Sequence, residues 1–130
     1  MSKKIRPEEL AVSIAAELSQ YSQEVTNQIK QDVQEVAKEC VKDIKSGAPK
    51  KSGKYRRGWK MKVVFENAED IRIKIYNSAK PQLAHLLEFG HDLVKRKRKV
   101  GYVDGISHIY PAEQKASKSL EKKAKVAVKR

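Results

Sequence analysis

A chain of 130 residues, with 39% hydrophobic, 6% aromatic and 35% charged residues, has the length of one domain, which excludes a multi-domain enzyme. Lys and Arg total 29 against 16 Asp plus Glu, a formal net charge of +13, and such an excess marks either a well-solvated surface or a polyanionic partner. The lone Cys40 cannot close an internal disulfide, which points to a reducing cytoplasmic origin. No apolar run approaches the roughly 20 residues of a membrane span, and Ala11 to Ala16, flanked by Glu8, Glu9 and Glu17, is too short for a signal-peptide core.

The charge is unevenly placed. Residues 1–46 carry 7 basic and 8 acidic side chains, whereas residues 47–130 carry 22 and 8, so the whole excess follows Gly47. In the first segment Leu10, Ile14, Leu18, Tyr21, Val25, Ile29, Val33, Val36, Cys40 and Ile44 recur at steps of three and four, which predicts a helix over 7–46. Pro7, Glu8 and Glu9 suit its first turn, and Ser46-Gly47 followed by Pro49 supplies its stop. Such a helix would be roughly 60 Å long, against about 35–40 Å for a compact domain of this size. It must therefore bend, break or project. The polar stretch Ser19 to Gln23 is the place for a break, and a projecting stripe would need another subunit as cover.

Residues 47–58 read as a basic loop. Over 59–77 the period changes to two: Trp59, Met61, Val63 and Phe65 alternate with Lys60, Lys62 and Glu66, and Ile71, Ile73 and Ile75 alternate with Arg72, Lys74 and Tyr76. With the short polar connection Asn67 to Asp70, this predicts an antiparallel hairpin with one apolar face, covered by the long helix. A short helix is expected over 81–89, ended by Gly90, and a basic loop over 91–105. A short strand is expected over 106–110, and a C-terminal helix over 111–128, opened by Pro111, with Ala112, Ala116, Leu120, Ala124 and Ala127 on one narrow face. The fold class is α+β, in a single domain spanning 1–130.

No catalytic constellation emerges. His85, His91 and His108 lack zinc-site spacing, no serine sits in a nucleophile elbow, and Gly47, Gly53 and Gly58 lack the spacing of a phosphate-binding loop. Glu88, the one acid between Pro81 and Gly90, has no second carboxylate for acid–base work. The expectation is a non-enzyme without metal or cofactor. The uninterrupted run Lys95-Arg96-Lys97-Arg98-Lys99 repels itself and predicts an exposed, mobile loop, which is either a solvated tip or a contact for DNA phosphate or an acidic protein face. Lys50, Lys51, Lys54, Arg56 and Arg57 form a second group of candidate contacts. No helix-turn-helix pattern supports sequence-specific DNA recognition.

Three stretches carry a resemblance. Ala48-Pro49-Lys50-Lys51-Ser52-Gly53-Lys54-Tyr55-Arg56-Arg57-Gly58-Trp59 resembles a segment in which a proline precedes Thr-Gly and Leu-Arg-x-Ser. Pro81 to His91, with Leu87-Glu88-Phe89-Gly90, resembles "Tyr-Ala-x-x-hydrophobic-Glu-Phe-Gly-Thr". His108-Ile109-Tyr110-Pro111-Ala112 resembles the "Pro-Phe-hydrophobic-x-Pro-Ala" that opens a last helix. Their order resembles the neck or tail-completion family of long-tailed bacteriophages, whose members are also called head-tail joining or minor tail proteins. Ser52 stands where Thr is usual, Leu83 where Tyr is usual, His91 where Thr is usual, and Ser107-His108 replaces Pro-Phe.

The resemblance implies a structural virion protein of the neck, made in the host cytoplasm and assembled as a ring between the DNA-filled head and the tail. Its partners would be copies of itself, connector or head-completion proteins, the tail terminator and, in the lumen, DNA. No membrane, cofactor or catalytic step is implied. Pro49, Ser52, Gly53, Glu88, Phe89, Gly90, Pro111 and Ala112 would be structural, with Leu83, Leu87 and Phe89 packed on the sheet and Glu88 reaching Arg56 or Arg57. The alternative from charge alone is a small basic protein that binds nucleic acid without sequence preference.

Overall fold

The computed structural model describes residues 11–49 and 53–129. The fold is α+β. Strand β1 (Val12–Glu17) is followed by helix α1 (Gln23–Gly47), helix α2 (Gly53–Arg57) and strands β2 (Trp59–Glu66) and β3 (Asp70–Asn77). Helix α3 (Leu83–Phe89), strands β4 (Gly90–Lys95) and β5 (Arg98–Asp104), and helix α4 (Ile109–Lys129) complete the chain. The sheet is antiparallel in the order β1-β3-β2, and β4 and β5 form a separate two-stranded ribbon.

The expected helix over 7–46 is thus shorter and has a strand before it; Pro7 to Leu10 lie outside the described residues. Steps of four satisfy a period of two as well as a helix, so Leu10-Ile14-Leu18 did not separate the two states. Burial does: Val12 and Ile14 are buried and Ala16 half-buried, while Ser13, Ala15 and Glu17 are exposed. Pairing with β3 (Val12↔Ile75, Ile14↔Ile73, Ala16↔Ile71) joins these side chains to the apolar face of the sheet. The chain turns through Leu18 to Ser22, within the polar stretch expected to break, and Ser22 caps α1 by accepting from the Val25 N–H at 3.3 Å. At 25 residues α1 is about 38 Å long. It fits the domain, and its stripe from Ile29 to Ile44 is buried.

α1 lays Ile29, Val33, Val36, Ala37, Cys40 and Ile44 on the sheet face formed by Ile71, Ile73, Ile75 and Trp59, all buried. Burial pushes the Cys40 thiol up to about 12, with the charges of Asp43 and Glu113 adding to the effect, which leaves it an unreactive apolar filler. α4 packs along α1 through Ala112, Ala116 and Ala127, whose small side chains permit close approach.

The hairpin differs from the expected alternation at one place. A bulge between Val63 and Phe65 brings Phe65 opposite Arg72 and Glu66 opposite Ile71. Phe65 is therefore 52% exposed on the open face. Glu66 turns to the helix side and meets the buried Lys30 of α1 at 3.3 Å, while Lys30 also donates to the Asn67 carbonyl. One inserted residue reverses the facing of everything after it.

Candidate assembly site

The residues of the Glu-Phe-Gly motif divide between a buried polar cluster and a projecting arm. The Glu88 side chain, 5% exposed, accepts from the backbone N–H groups of His108 (2.7 Å), Ile109 (2.8 Å) and Tyr110 (2.9 Å) and from the Ser107 hydroxyl (2.9 Å). A carboxylate from α3 thus satisfies the free donors at the start of α4 and faces its positive dipole end. Burial pushes the Glu88 carboxyl up, but these four hydrogen bonds outweigh it and hold the group below its ordinary value of 4.5.

His108 extends the cluster inward. Its Nδ1 lies 2.6 Å from the Ile106 carbonyl and 3.1 Å from Glu88 Oε1, and its Nε2 lies 2.7 Å from the Tyr55 hydroxyl. With a proton on Nδ1, Nε2 accepts from Tyr55, a neutral tautomer that satisfies every partner. Burial, with the charge of Glu88 adding to it, raises the Tyr55 phenol well above its usual range. The Tyr55 carbonyl in turn accepts from Asn77 Nδ2 at 2.7 Å, so α2, β3, α3 and α4 meet at one set of hydrogen bonds. Tyr55, Glu88 and His108 are each at most 5% exposed, which leaves no approach for a substrate.

Several expectations change here. Glu88 does not reach Arg56 or Arg57: it holds the start of α4, while Arg56 Nη2 donates to the Ala48 carbonyl at 2.8 Å and ties α2 to the end of α1. Residues 106–110 are not a strand, because α4 opens at Ile109, two residues before Pro111, where Glu88 supplies the missing acceptors. The loop expected over 47–58 contains α2, and Gly53 begins that helix rather than a turn. Lys50, Lys51 and Ser52 lie outside the described residues. Leu83 and Leu87 pack against the core, but Phe89 is 56% exposed and instead meets the His85 ring at a tilt of 51°, with ring centroids 4.9 Å apart.

The arm begins at the same motif. Gly90 adopts φ +87°, in the left-handed region, and a Cβ there would lie 2.6 Å from the Val103 carbonyl oxygen. Gly105 passes so close that its Cβ would be 2.5 Å from the Glu88 carbonyl oxygen. The Tyr102 hydroxyl donates to the Phe89 carbonyl at 3.0 Å, and the Ile106 N–H to Leu87 at 2.8 Å. Beyond this base, β4 and β5 run out as an antiparallel hairpin where a basic loop is expected over 91–105. The reason is that Leu93, Val94, Val100, Tyr102 and Val103 are strand formers flanking a two-residue turn, Arg96-Lys97. Both turn residues have positive φ, 51° and 64°, in place of the usual Asn-Gly.

Lys95 to Lys99 are all exposed at the arm tip, where Lys99 pairs with Asp92 at 3.2 Å. Lys54 and Arg57 are exposed on α2, so the two expected groups of cations sit on different elements. Two further basic surfaces are visible in the structure. On the open face of the sheet Lys60, Lys62, Arg72 and Lys74 are exposed, with Lys62 directly opposite Lys74 and both placed over the Tyr76 ring, 5.3 and 5.9 Å from its centroid. On α4 the exposed face carries Lys115, Lys118, Lys122, Lys125 and Lys129. Both are written in the sequence, as cations at steps of two along the strands and as lysines at steps of three and four along α4.

Among the described residues no cluster of three or more His, Cys, Asp or Glu is placed to hold a metal ion, and no helix is long and apolar enough to cross a membrane. Fold and site together define a small α+β protein whose buried polar groups fix structure and whose free surface is an arm. Residues 13–90 match the family model described as "Bacteriophage HK97-gp10, putative tail-component". No curated protein and no solved structure matches the chain. The chain belongs to this HK97-gp10-like family of structural phage tail components, and the matched residues run from β1 through the Glu-Phe-Gly motif to the first residue of the arm.

Proposed function

We propose that the protein completes the phage neck: it assembles as a ring of identical subunits that joins the head connector to the tail, and the β4–β5 arm reaches the neighbouring subunit or virion protein. One observation carries this reading. The arm exposes Leu93 (44%), Val94 (61%), Val100 (56%), Tyr102 (54%) and Val103 (37%), with Phe89 at its base, and its main packing on the body is through α3. Apolar side chains exposed on both faces of a two-stranded ribbon mark a contact awaiting its partner. Head-to-tail contacts, each arm on the next subunit, close into a ring when the rotation permits. The connector, the tail terminator and further copies of this chain are the partners that fit.

The experiment mixes DNA-filled heads and separately purified tails with the protein and counts joined particles by electron microscopy and infectivity. Native protein is expected to restore joining, and Val94→Ser with Val100→Ser to abolish it while leaving the fold intact. Joining at the native level by that double variant would refute the arm's role; failure of the native protein to join anything would refute the neck assignment.

A further inference from the structure

Lys115, Lys118, Lys122, Lys125 and Lys129 follow one another on α4 at steps of three, four, three and four. At 3.6 residues per turn they fall within an arc of about 80°, in a line about 21 Å long. That arc lies on the exposed side of the helix, away from the buried Ala112, Ala116 and Ala127, with Lys115 at its edge nearest α1. No acidic residue lies within the arc. Lys115 pairs with Asp43 of α1 at 3.3 Å and Lys125 with Glu121 at the stripe's edge at 3.2 Å, both as exposed pairs. Among the described residues, Lys118, Lys122 and Lys129 have no ion-pair partner. Like charges one turn apart repel, so the free helix carries a cost that a polyanion removes.

We infer that this face of α4 binds the phosphate backbone of duplex DNA. The stripe contains lysine only. Lysine is a mobile point charge that meets phosphate at varied geometry, without the planar fork that fixes one bidentate orientation. No Arg, Asn or Gln stands in the arc to read base edges, so the contact is independent of sequence. A straight duplex, with a negative charge every 1.7 Å or so of its axis, offers a continuous partner to a straight cationic line. The open sheet face is the weaker candidate: Glu17 and Asp70 face each other at its end, and Tyr76 occupies two of its lysines. This inference goes beyond neck joining and holds without it.

The test is fluorescence anisotropy of the full chain with a labelled duplex of about 20 base pairs and arbitrary sequence, titrated between about 50 and 200 mM salt. The triple variant Lys118→Gln, Lys122→Gln, Lys125→Gln is expected to weaken binding at low salt more than tenfold and to reduce the log–log salt slope by about 2.7, from about 0.9 per phosphate contact. A control with the same charge change, Lys60→Gln, Lys62→Gln, Lys74→Gln, should leave the slope within about 1 of native. Circular dichroism checks the helix, and the single reversal Lys122→Glu gives a smaller change of the same direction should the triple variant be unstable. Equal losses in the two triple variants would reduce the effect to net charge and overturn the inference. So would a stripe variant that keeps DNA binding but loses binding to purified tail or connector proteins. Failure on DNA leaves the joining reading standing, since that is scored on the arm by particle joining.

Discussion

The Glu88 cluster and the β4–β5 arm are separated by a single residue, Phe89, in sequence and by opposite physics in space. Glu88, His108, Tyr55 and Asn77 are buried and joined by hydrogen bonds, and four elements depend on one another there. In the arm the backbone is satisfied only by its own ladder, and apolar side chains face outward on both strands. The three-residue motif serves both: Glu88 turns inward to hold α4, Phe89 turns outward, and Gly90 supplies the backbone angle that sends the chain out. A folded body can thus carry an element whose own stability contributes little to the whole.

The comparison predicts its largest effect at Glu88. Glu88→Ala leaves three N–H groups, two of them buried, and a hydroxyl without an acceptor, and should cost about 3–4 kcal/mol of stability, measured by urea unfolding. Glu88→Gln keeps the shape but presents an amide N–H₂ to groups that are all donors, so it should recover only part of the loss. A native-like Glu88→Ala would mean that the cluster is incidental and that α4 is held by its apolar face alone.

Acid should act on the same place. Because the folded-state carboxyl of Glu88 lies below its ordinary value of 4.5, the unfolded chain binds the proton more readily. The stability Glu88 supplies is therefore complete above about pH 4.5 and is lost as pH falls through the lower folded value. Unfolding free energies measured on native protein should decline over that acid range. In Glu88→Gln this component should be absent, flattening the curve.

Gly90→Ala probes the joint between the two regions. A Cβ forced into the left-handed region and against the Val103 carbonyl should cost about 1–3 kcal/mol. The loss should be concentrated in the arm. Hydrogen exchange is expected to accelerate at His91 to Val103 while the amides of α1 and β3 stay protected. Uniform acceleration would show that arm and body unfold together.

Much of the body was legible in the sequence because its signals are unambiguous over length. Ile29 to Ile44 keep a helical period through four turns, and Ile71, Ile73 and Ile75 keep a period of two beside charged partners. Three features were not legible, each for a physical reason. Ile14 sits where steps of four fit both helix and strand, and only the vacant edge of β3 decides between them. The bulge at Val64 depends on Lys30 being available, 36 residues away, to receive Glu66. The arm was hidden by its charge, since Lys95 to Lys99 reads as solvated loop until Arg96 and Lys97 are seen to form a tight turn. The site was legible as a motif but not as a mechanism: Glu88 was marked, whereas its partners are backbone N–H groups that no side-chain pattern announces.

The smallest effect is expected at the arm tip, and it has the opposite sign. Arg96 and Lys97 hold positive φ with side chains that disfavour it, whereas Asn-Gly adopts the same turn without strain. The double change Arg96→Asn, Lys97→Gly should stabilise the hairpin by about 1–2 kcal/mol, read as slower hydrogen exchange across β4 and β5. The urea midpoint of the whole protein should hardly move, because the arm opens without the body. If the midpoint rises by the full amount, arm and body are one cooperative unit and the division drawn between them fails. If the arm stiffens but head-tail joining falls, the two cations at the tip are needed for contact, which explains why the turn keeps a strained pair where a relaxed one would fold better.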